Sequence, residues 1–193
     1  VKYDVILAGV GGQGVLSVAA VIALGAKNSG LQVRQSEVHG MAQRGGAVQA
    51  HLRLSDRRIV SDLIGKASAD MILSMEPIEC LRYLEYLQPD GVLITSCDPV
   101  KNIPNYPELE GIYERIRSLP SSRLIQAADL AQGAGSARST NMVMVGAASA
   151  YLPVEEKHLL AAMEELFSGK GEKVVQVNRK AFQAGKDTAV SSL

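Results

Sequence analysis

The stretch YDVILAG (3–9) is apolar almost throughout and rich in Val, Ile and Leu, the pattern of a strand covered on both faces. GGQGVLSVAAVIALGAKNSG follows with no charge before Lys27 and predicts a helix stopped by Gly30. Because it is apolar on nearly every side, that helix needs the sheet on one face and a second cover on the other. LQVRQSEV (31–38) alternates, as a strand near a sheet edge does. AVQAHLRLS (47–55) alternates too, with Val48, Ala50, Leu52 and Leu54 on one face and Gln49, His51 and Arg53 on the other. The link between these two strands is short, so they are expected to pair antiparallel and to make the sheet mixed.

Further along, ADMILSM (69–75) and DGVLITSC (90–97) read as buried strands, with a helix IECLRYLEYL (78–87) between them just after Pro77. PELEGIYERIRSL (107–119) predicts a short helix with acids early and arginines late, as the macrodipole favours, and RLIQA (123–127) a last short strand. The remainder predicts three helices. STNMVMVGAASAYL (139–152) opens on residues suited to an N-cap and carries Gly146, Ala147 and Ala148 for close packing. PVEEKHLLAAMEELF (153–167) and a more polar segment over 172–188 complete the set. The expected architecture is α/β, a Rossmann-like three-layer domain with a mixed, mostly parallel sheet and a helical C-terminal extension from about 139. No internal repeat or linker divides residues 1–193, so one domain is expected.

Composition narrows function more than fold. The formal net charge is zero, with 20 basic and 20 acidic side chains and no basic stripe, and there is no Trp and only two Phe to stack on bases. Nucleic acid is therefore not an expected partner. The two cysteines, Cys80 and Cys97, form no CxxC, so neither a disulfide framework nor a thiolate metal or iron–sulfur site held by this chain alone is expected. His39, His51 and His158 fall on different elements without ligand spacing. The uncharged start is interrupted by Gly9, Gly11, Gly12, Gln13 and Gly14, and Val15 to Ala26 is shorter than the ~20 residues of a membrane span. Asp4 stands where a signal peptide would be basic; a soluble, cytoplasmic protein without membrane attachment is expected.

Two connections carry the candidate chemistry. GVGGQG (9–14) matches the G-x-G-x-x-G pattern between a predicted strand and helix, where Gly9 would permit a tight turn, Gly11 a close backbone approach and Gly14 close helix–strand packing. Amides at the helix start would favour an anion, and Glu37 falls near the place of a ribose-binding acid. Against a bound dinucleotide stand the antiparallel third strand and the alternative use of glycines where backbones pack closely. The second connection, SEVHGMAQRGG (36–46), places an acid, an imidazole, an amide and a guanidinium on one short link closed by two glycines. Glu76, at a strand end before Pro77, reads most simply as an acid at a helix start.

The glycine loop, the uncharged first helix and SEVHGMAQRGGAVQAHLRLSD together resemble the gamma subunit or domain of 2-oxoacid:ferredoxin oxidoreductases, most strongly the small (beta) subunit of the indolepyruvate enzymes. The likeness continues through ADMILSMEP and IPNYPEL to NMVMVGAASAYL. Gly9, Gly11, Gly12, Gln13 and Gly14 match the family's glycine loop, and Arg44, Gly45 and Gly46 its RGG signature. The resemblance implies an enzyme that decarboxylates a 2-oxoacid on thiamine diphosphate, sends electrons through 4Fe-4S clusters to ferredoxin and gives the acyl group to coenzyme A. This chain has no GDG motif to hold Mg and diphosphate. The resemblance therefore implies a small subunit, inactive alone and without catalytic or metal-binding residues of its own. Thiamine diphosphate, Mg and the clusters would reside on a large partner subunit in a hetero-oligomer.

Within that reading, residues 37 to 46 are expected to face the partner's active-site mouth. Arg44 suits bidentate contact with a phosphate or carboxylate, with His39 and Gln43 as further polar groups, and coenzyme A is a candidate ligand at the interface. The alternative, that Arg44 and His39 only satisfy carbonyls at a strand crossover, is the simpler reading for His39. Two other readings stay open. One is a stand-alone NAD(P)-binding protein using the glycine loop and Glu37; the other is a purely structural assembly subunit.

Overall fold

The computed structural model describes residues 1–39 and 45–190. The apolar run at the start becomes β1 (Lys2–Val10), buried from Asp4 onward. With it stand β2 (Gln32–His39), β3 (Ala47–Ser55), β4 (Ala69–Ser74), β5 (Leu87–Ser96) and β6 (Ser122–Ile125). They form a six-stranded sheet in the order β2-β3-β1-β4-β5-β6. β3 runs antiparallel to both neighbours, Val10 opposite Ala47 and Val38 opposite Gln49, whereas β1, β4, β5 and β6 are parallel. The sheet is thus mixed and mostly parallel, with the alternating second strand at its edge, as the pattern predicts.

The pleat sorts the core into two clusters. Val5, Leu7, Leu52, Leu54, Met71, Leu73 and Ile94 face one side, packed with α1 (Val15–Asn28), α4 (Ala127–Ala134), α5 (Thr140–Ser149), α6 (Glu156–Phe167) and α7 (Glu172–Val190). Ile6, Ile72 and Leu93 face the other, packed with α2 (Pro77–Arg82) and α3 (Leu109–Arg117). The second cover demanded by α1 is α6. At their contact a Cβ on Gly25 would lie 2.9 Å from Leu159 Cδ2, so the helices meet with no room for a side chain. The C-terminal helices fold back over the sheet, and Phe182 of α7 is fully buried in the same large cluster, its backbone against Gly146 of α5. Among the described residues no helix is long and apolar enough to cross a membrane.

Two expected elements differ. The helix expected over 78–87 stops at Arg82, a 3-10 turn covers Leu84–Tyr86, and β5 begins at Leu87. Leu87 pairs with Ala69 and Val92 with Met71, so the sheet captures this segment early and bulges around Gln88 to Gly91, where Pro89 can sit without a ladder amide. The strand expected over 123–127 ends at Ile125, and Ala127 starts α4, an element the pattern does not reveal. Its eight residues bury only Ala127 and Ala131, a stripe too thin to register as amphipathic, and Gly135 closes it in the left-handed conformation.

On the face of β3 away from the large cluster, His51 is 4% exposed. Its Nδ1 accepts from the Ile64 amide at 2.9 Å, which puts the proton of the neutral ring on Nε2, 3.1 Å from the Gln49 side-chain amide, whose oxygen can turn to accept it. Beside it Arg53 makes a bidentate pair with buried Asp4, 2.9 and 3.1 Å, and donates to the Ser61 and Leu63 carbonyls. Together they hold the 56–68 connection over the sheet. Burial, then the Arg53 charge, pushes the His51 pKa below its ordinary 6.5, with Asp4 opposing. The unfolded chain therefore takes up this proton first, so the contribution of His51 to stability is present above pH 6.5 and lost as pH falls through the folded value. Thermal melts between pH 7.5 and 5 should show this fall. His51→Asn, which keeps an acceptor for Ile64 and cannot titrate, should flatten it; an unchanged slope would reject the assignment.

Candidate functional site

β1 leads through α1 to the antiparallel side of the sheet, while the adjacent β4 leads through α2 to the other side. The carboxyl ends of these strands flank a switch point, where open α/β sheets form their crevice. The glycine loop lies there, and its glycines divide their work differently from expectation. Gly12 (φ 102) and Gly14 (φ 75) adopt the left-handed conformations and make the turn. Gly9 has no positive φ and instead permits close packing, since a Cβ would lie 2.8 Å from Val15 Cγ2 and 3.2 Å from Met75 Cβ. Gly14 approaches Asn141 of α5, not the strand: a Cβ there would meet Asn141 Nδ2 at 2.2 Å. Gln13 is absorbed by the loop itself, accepting from the Val10 amide at 2.8 Å and donating to the Met75 carbonyl at 2.9 Å.

The two glycine segments are one structure. Gly11 N–H donates to the Gly46 carbonyl at 2.8 Å, and Gly45 N–H donates to the Gly11 carbonyl at 3.3 Å, extending the β1–β3 ladder past Val10 and Ala47. Asn102 donates to the Gly45 carbonyl from the 97–106 connection. That connection is held in turn by Glu76, which is fully buried. Glu76 caps α2 through the Ile78 and Glu79 amides, as its position predicts, and also accepts from the Val100 amide at 3.2 Å and from the Tyr106 hydroxyl.

A cleft of about 370 Å³ opens beside the loop, lined by Gly12, Gly14, Ser96, Asp98, Arg138 and Asn141 among others. Asp98 accepts from Ser96 Oγ at 2.7 Å and from the Ala128 amide at 2.8 Å, so it closes the start of α4. Arg138 is exposed, and Asn141 Nδ2 donates to the Gly14 carbonyl at 3.3 Å. A guanidinium, the left-handed glycine turn and the start of α1 suit an anion. The Asp98 carboxylate on the same wall, already paired with Ser96 and the Ala128 amide, acts against one. Among the described residues no three His, Cys, Asp or Glu side chains converge as a metal site would. Burial raises both thiols, pushing Cys80 up to about 12, so neither is poised as a thiolate.

Of the other residues singled out by sequence, Glu37 lies in β2, where Gln35 donates to it at 2.6 Å. The antiparallel β3 intervenes, so Glu37 stands two strands from β1, roughly 9 to 10 Å, and is not at the neighbouring strand end a ribose-binding acid requires. His39 is the last residue of β2, with its backbone opposite Val48. Gln43 and Arg44 lie outside the described residues. Sequence reasoning did not single out Asn102, Tyr106, Asp98, Arg138 or Asn141. Tyr106 and Asn141 do fall within the quoted stretches IPNYPEL and NMVMVGAASAYL, whose polar residues were the available signal.

The family model for pyruvate ferredoxin/flavodoxin oxidoreductase matches residues 4–188. The indolepyruvate oxidoreductase subunit IorB of Archaeoglobus fulgidus is 35% identical, over 98% of this chain and 96% of that one. The gamma subunit of a keto/oxoacid ferredoxin oxidoreductase from Geobacter sulfurreducens superposes with a TM-score of 0.72 at 26% identity, covering 98% of this chain and 99% of that one. A 2-oxoglutarate:ferredoxin oxidoreductase from Magnetococcus marinus, solved with 2-oxoglutarate, coenzyme A and succinyl-CoA, shares the fold. Its TM-score is 0.78 at 23% identity, over 98% of this chain and 31% of that one.

Proposed function

Given that the chain belongs to the pyruvate ferredoxin/flavodoxin oxidoreductase family, we propose that it is the small subunit of an enzyme that oxidatively decarboxylates a 2-oxoacid, with indolepyruvate as the favoured substrate. What carries this reading is the breadth of the match, which spans 98% of this chain and 96% of the indolepyruvate oxidoreductase subunit it resembles. The large partner subunit carries thiamine diphosphate, Mg and 4Fe-4S clusters, ferredoxin takes the electrons, and the complex works in the cytoplasm.

In this reading the chain contributes a surface. The cleft at the strand ends receives an anionic part of coenzyme A, with Arg138 and the start of α1 holding phosphate and Asn141 keeping the glycine loop in place. The segment 37 to 46 faces the partner's active-site mouth, and its glycines carry that contact into the loop through the Gly11 pairing. These residues bind and orient; the bond-breaking chemistry belongs to the partner. The position of Glu37 weighs against a stand-alone dinucleotide binder.

The test is reconstitution with the large subunit. The complex should reduce ferredoxin in the presence of indolepyruvate and coenzyme A, and the small chain alone should not; a keto-acid-driven reduction by the chain alone would overturn the proposal. Arg138→Gln should raise KM for coenzyme A by roughly tenfold and leave KM for the 2-oxoacid unchanged. If both constants stay put while the complex assembles normally, a purely structural assembly role is the better account.

A further inference from the structure

A second concavity, of about 360 Å³, opens on the other side of Arg138, between the turn at Gly135–Ser139 and the first turns of α7. Its rim carries three cations, Arg138, Lys170 and Lys173, and no carboxylate is among its lining residues. None of the three takes part in an ion pair among the described residues; Lys170 instead sits 5.0 Å above the centre of the Phe167 ring. Glu172, adjacent in sequence, accepts from Gln176 and does not line the pocket. The remaining wall is apolar: Phe167, Val174 and Val177.

The floor holds the more telling feature. Asn178, in α7, is 4% exposed and lines this pocket, yet its side-chain amide has no hydrogen-bond partner among the described residues. Ser139 is equally buried and lines the same pocket. It stands at the start of α5 where an N-cap is expected, but the 3-10 turn Ala137–Ser139 runs straight into the helix and the hydroxyl caps nothing. Neither side chain has a protein partner among the described residues, and the polar atoms of both open onto the pocket, where a bound group can pair with them. An amide also offers a donor and an acceptor side by side, suited to the edge of a flat heterocycle.

We propose that this pocket binds a small phosphate monoester carrying a flat, partly apolar group, of the size and chemistry of a nucleoside monophosphate. The three cations hold the phosphate, Phe167, Val174 and Val177 take the flat face, and Asn178 with Ser139 reads the polar edge. The site is separate from the glycine-loop cleft, with which it shares Arg138 alone. Its test accordingly uses Lys173 and Asn178, which line only this pocket.

Titration of the full chain with AMP, adenosine and inorganic phosphate, followed by NMR, decides the matter. AMP should shift the Asn178 side-chain amide and the Val174 and Val177 methyls. Adenosine and inorganic phosphate should each bind at least roughly tenfold more weakly than AMP. Lys173→Gln, an exposed substitution that leaves the fold intact, should weaken AMP by roughly tenfold, and Asn178→Leu should remove the response. The proposal is overturned if AMP up to about 10 mM moves none of these signals. It is also overturned if Lys173→Gln leaves the affinity unchanged, or if inorganic phosphate binds as well as AMP. These readouts need no partner subunit, so they stand or fall apart from the coenzyme A assignment.

Discussion

Gly146→Ala is expected to cost on the order of 4 kcal/mol or to prevent folding altogether. A Cβ at that position would lie 1.9 Å from the Phe182 carbonyl oxygen and 2.7 Å from its carbonyl carbon. The contact is reciprocal, since a Cβ on Gly185 would lie 1.9 Å from the Val143 carbonyl oxygen. α5 and α7 thus touch backbone to backbone at two glycines, with no flexible side chain to yield. Overpacking a core typically costs about 1–3 kcal/mol because neighbouring side chains adjust; here a whole helix must move, and Phe182, fully buried, moves with it. Gly185→Ala should do the same, and the double variant should cost less than the sum because the helices need separate only once. Gly111→Ala in α3, where a Cβ meets nothing within 4 Å, is the matched control and should stabilise by about 0.5–1 kcal/mol. Urea denaturation of the four variants measures this; a loss under about 1 kcal/mol for Gly146→Ala would refute the backbone contact.

Glu76→Ala is expected to cost about 3–5 kcal/mol, measured in the same way. Its carboxylate is fully buried and accepts from the Ile78 amide at 2.7 Å, the Glu79 amide at 3.0 Å, the Val100 amide at 3.2 Å and the Tyr106 hydroxyl. Removing it uncaps α2 and leaves donors without an acceptor, a heavier penalty than the loss of the bonds themselves. Two further signs should accompany the lost stability. Val100 should lose protection from hydrogen exchange as the 97–106 connection comes free. The Tyr106 phenol, raised by burial first and then by its bond to Glu76, should titrate at lower pH in the variant. If stability falls while exchange at Val100 stays slow, the carboxylate caps the helix but does not anchor the connection.

Where one periodicity dominates, the chain can be read directly. The two faces of β3 sort as Val48, Ala50, Leu52 and Leu54 against Gln49, His51 and Arg53, because strand geometry allows a residue only two directions. The uncharged α1 likewise announces its need for two covers. What escapes reading is what depends on distant partners or on local competition. α4 is hidden because two buried alanines carry too little apolar signal. The end of the helix at Arg82 is set by Ala69 pairing with Leu87 across the sheet.

The candidate site divides along the same line. The glycine loop shows in the sequence because left-handed turns at Gly12 and Gly14 favour glycine. Asn141 does not show, since its contact with Gly14 spans 127 residues. The anchor role of Glu76 is likewise invisible beside its capping role, Tyr106 lying 30 residues away. Ser139 misleads for a related reason: residue type fits a cap, but the preceding 3-10 turn leaves it no amide to receive.

The joint between Gly11 and the Gly45–Gly46 pair is made of main-chain bonds alone. A linkage of that kind offers no side chain for mutation to erode, so the residues around it can drift widely while the mechanical continuity between the two segments persists. A displacement of Gly11 must carry the Gly45–Gly46 pair with it or break the two bonds that join them.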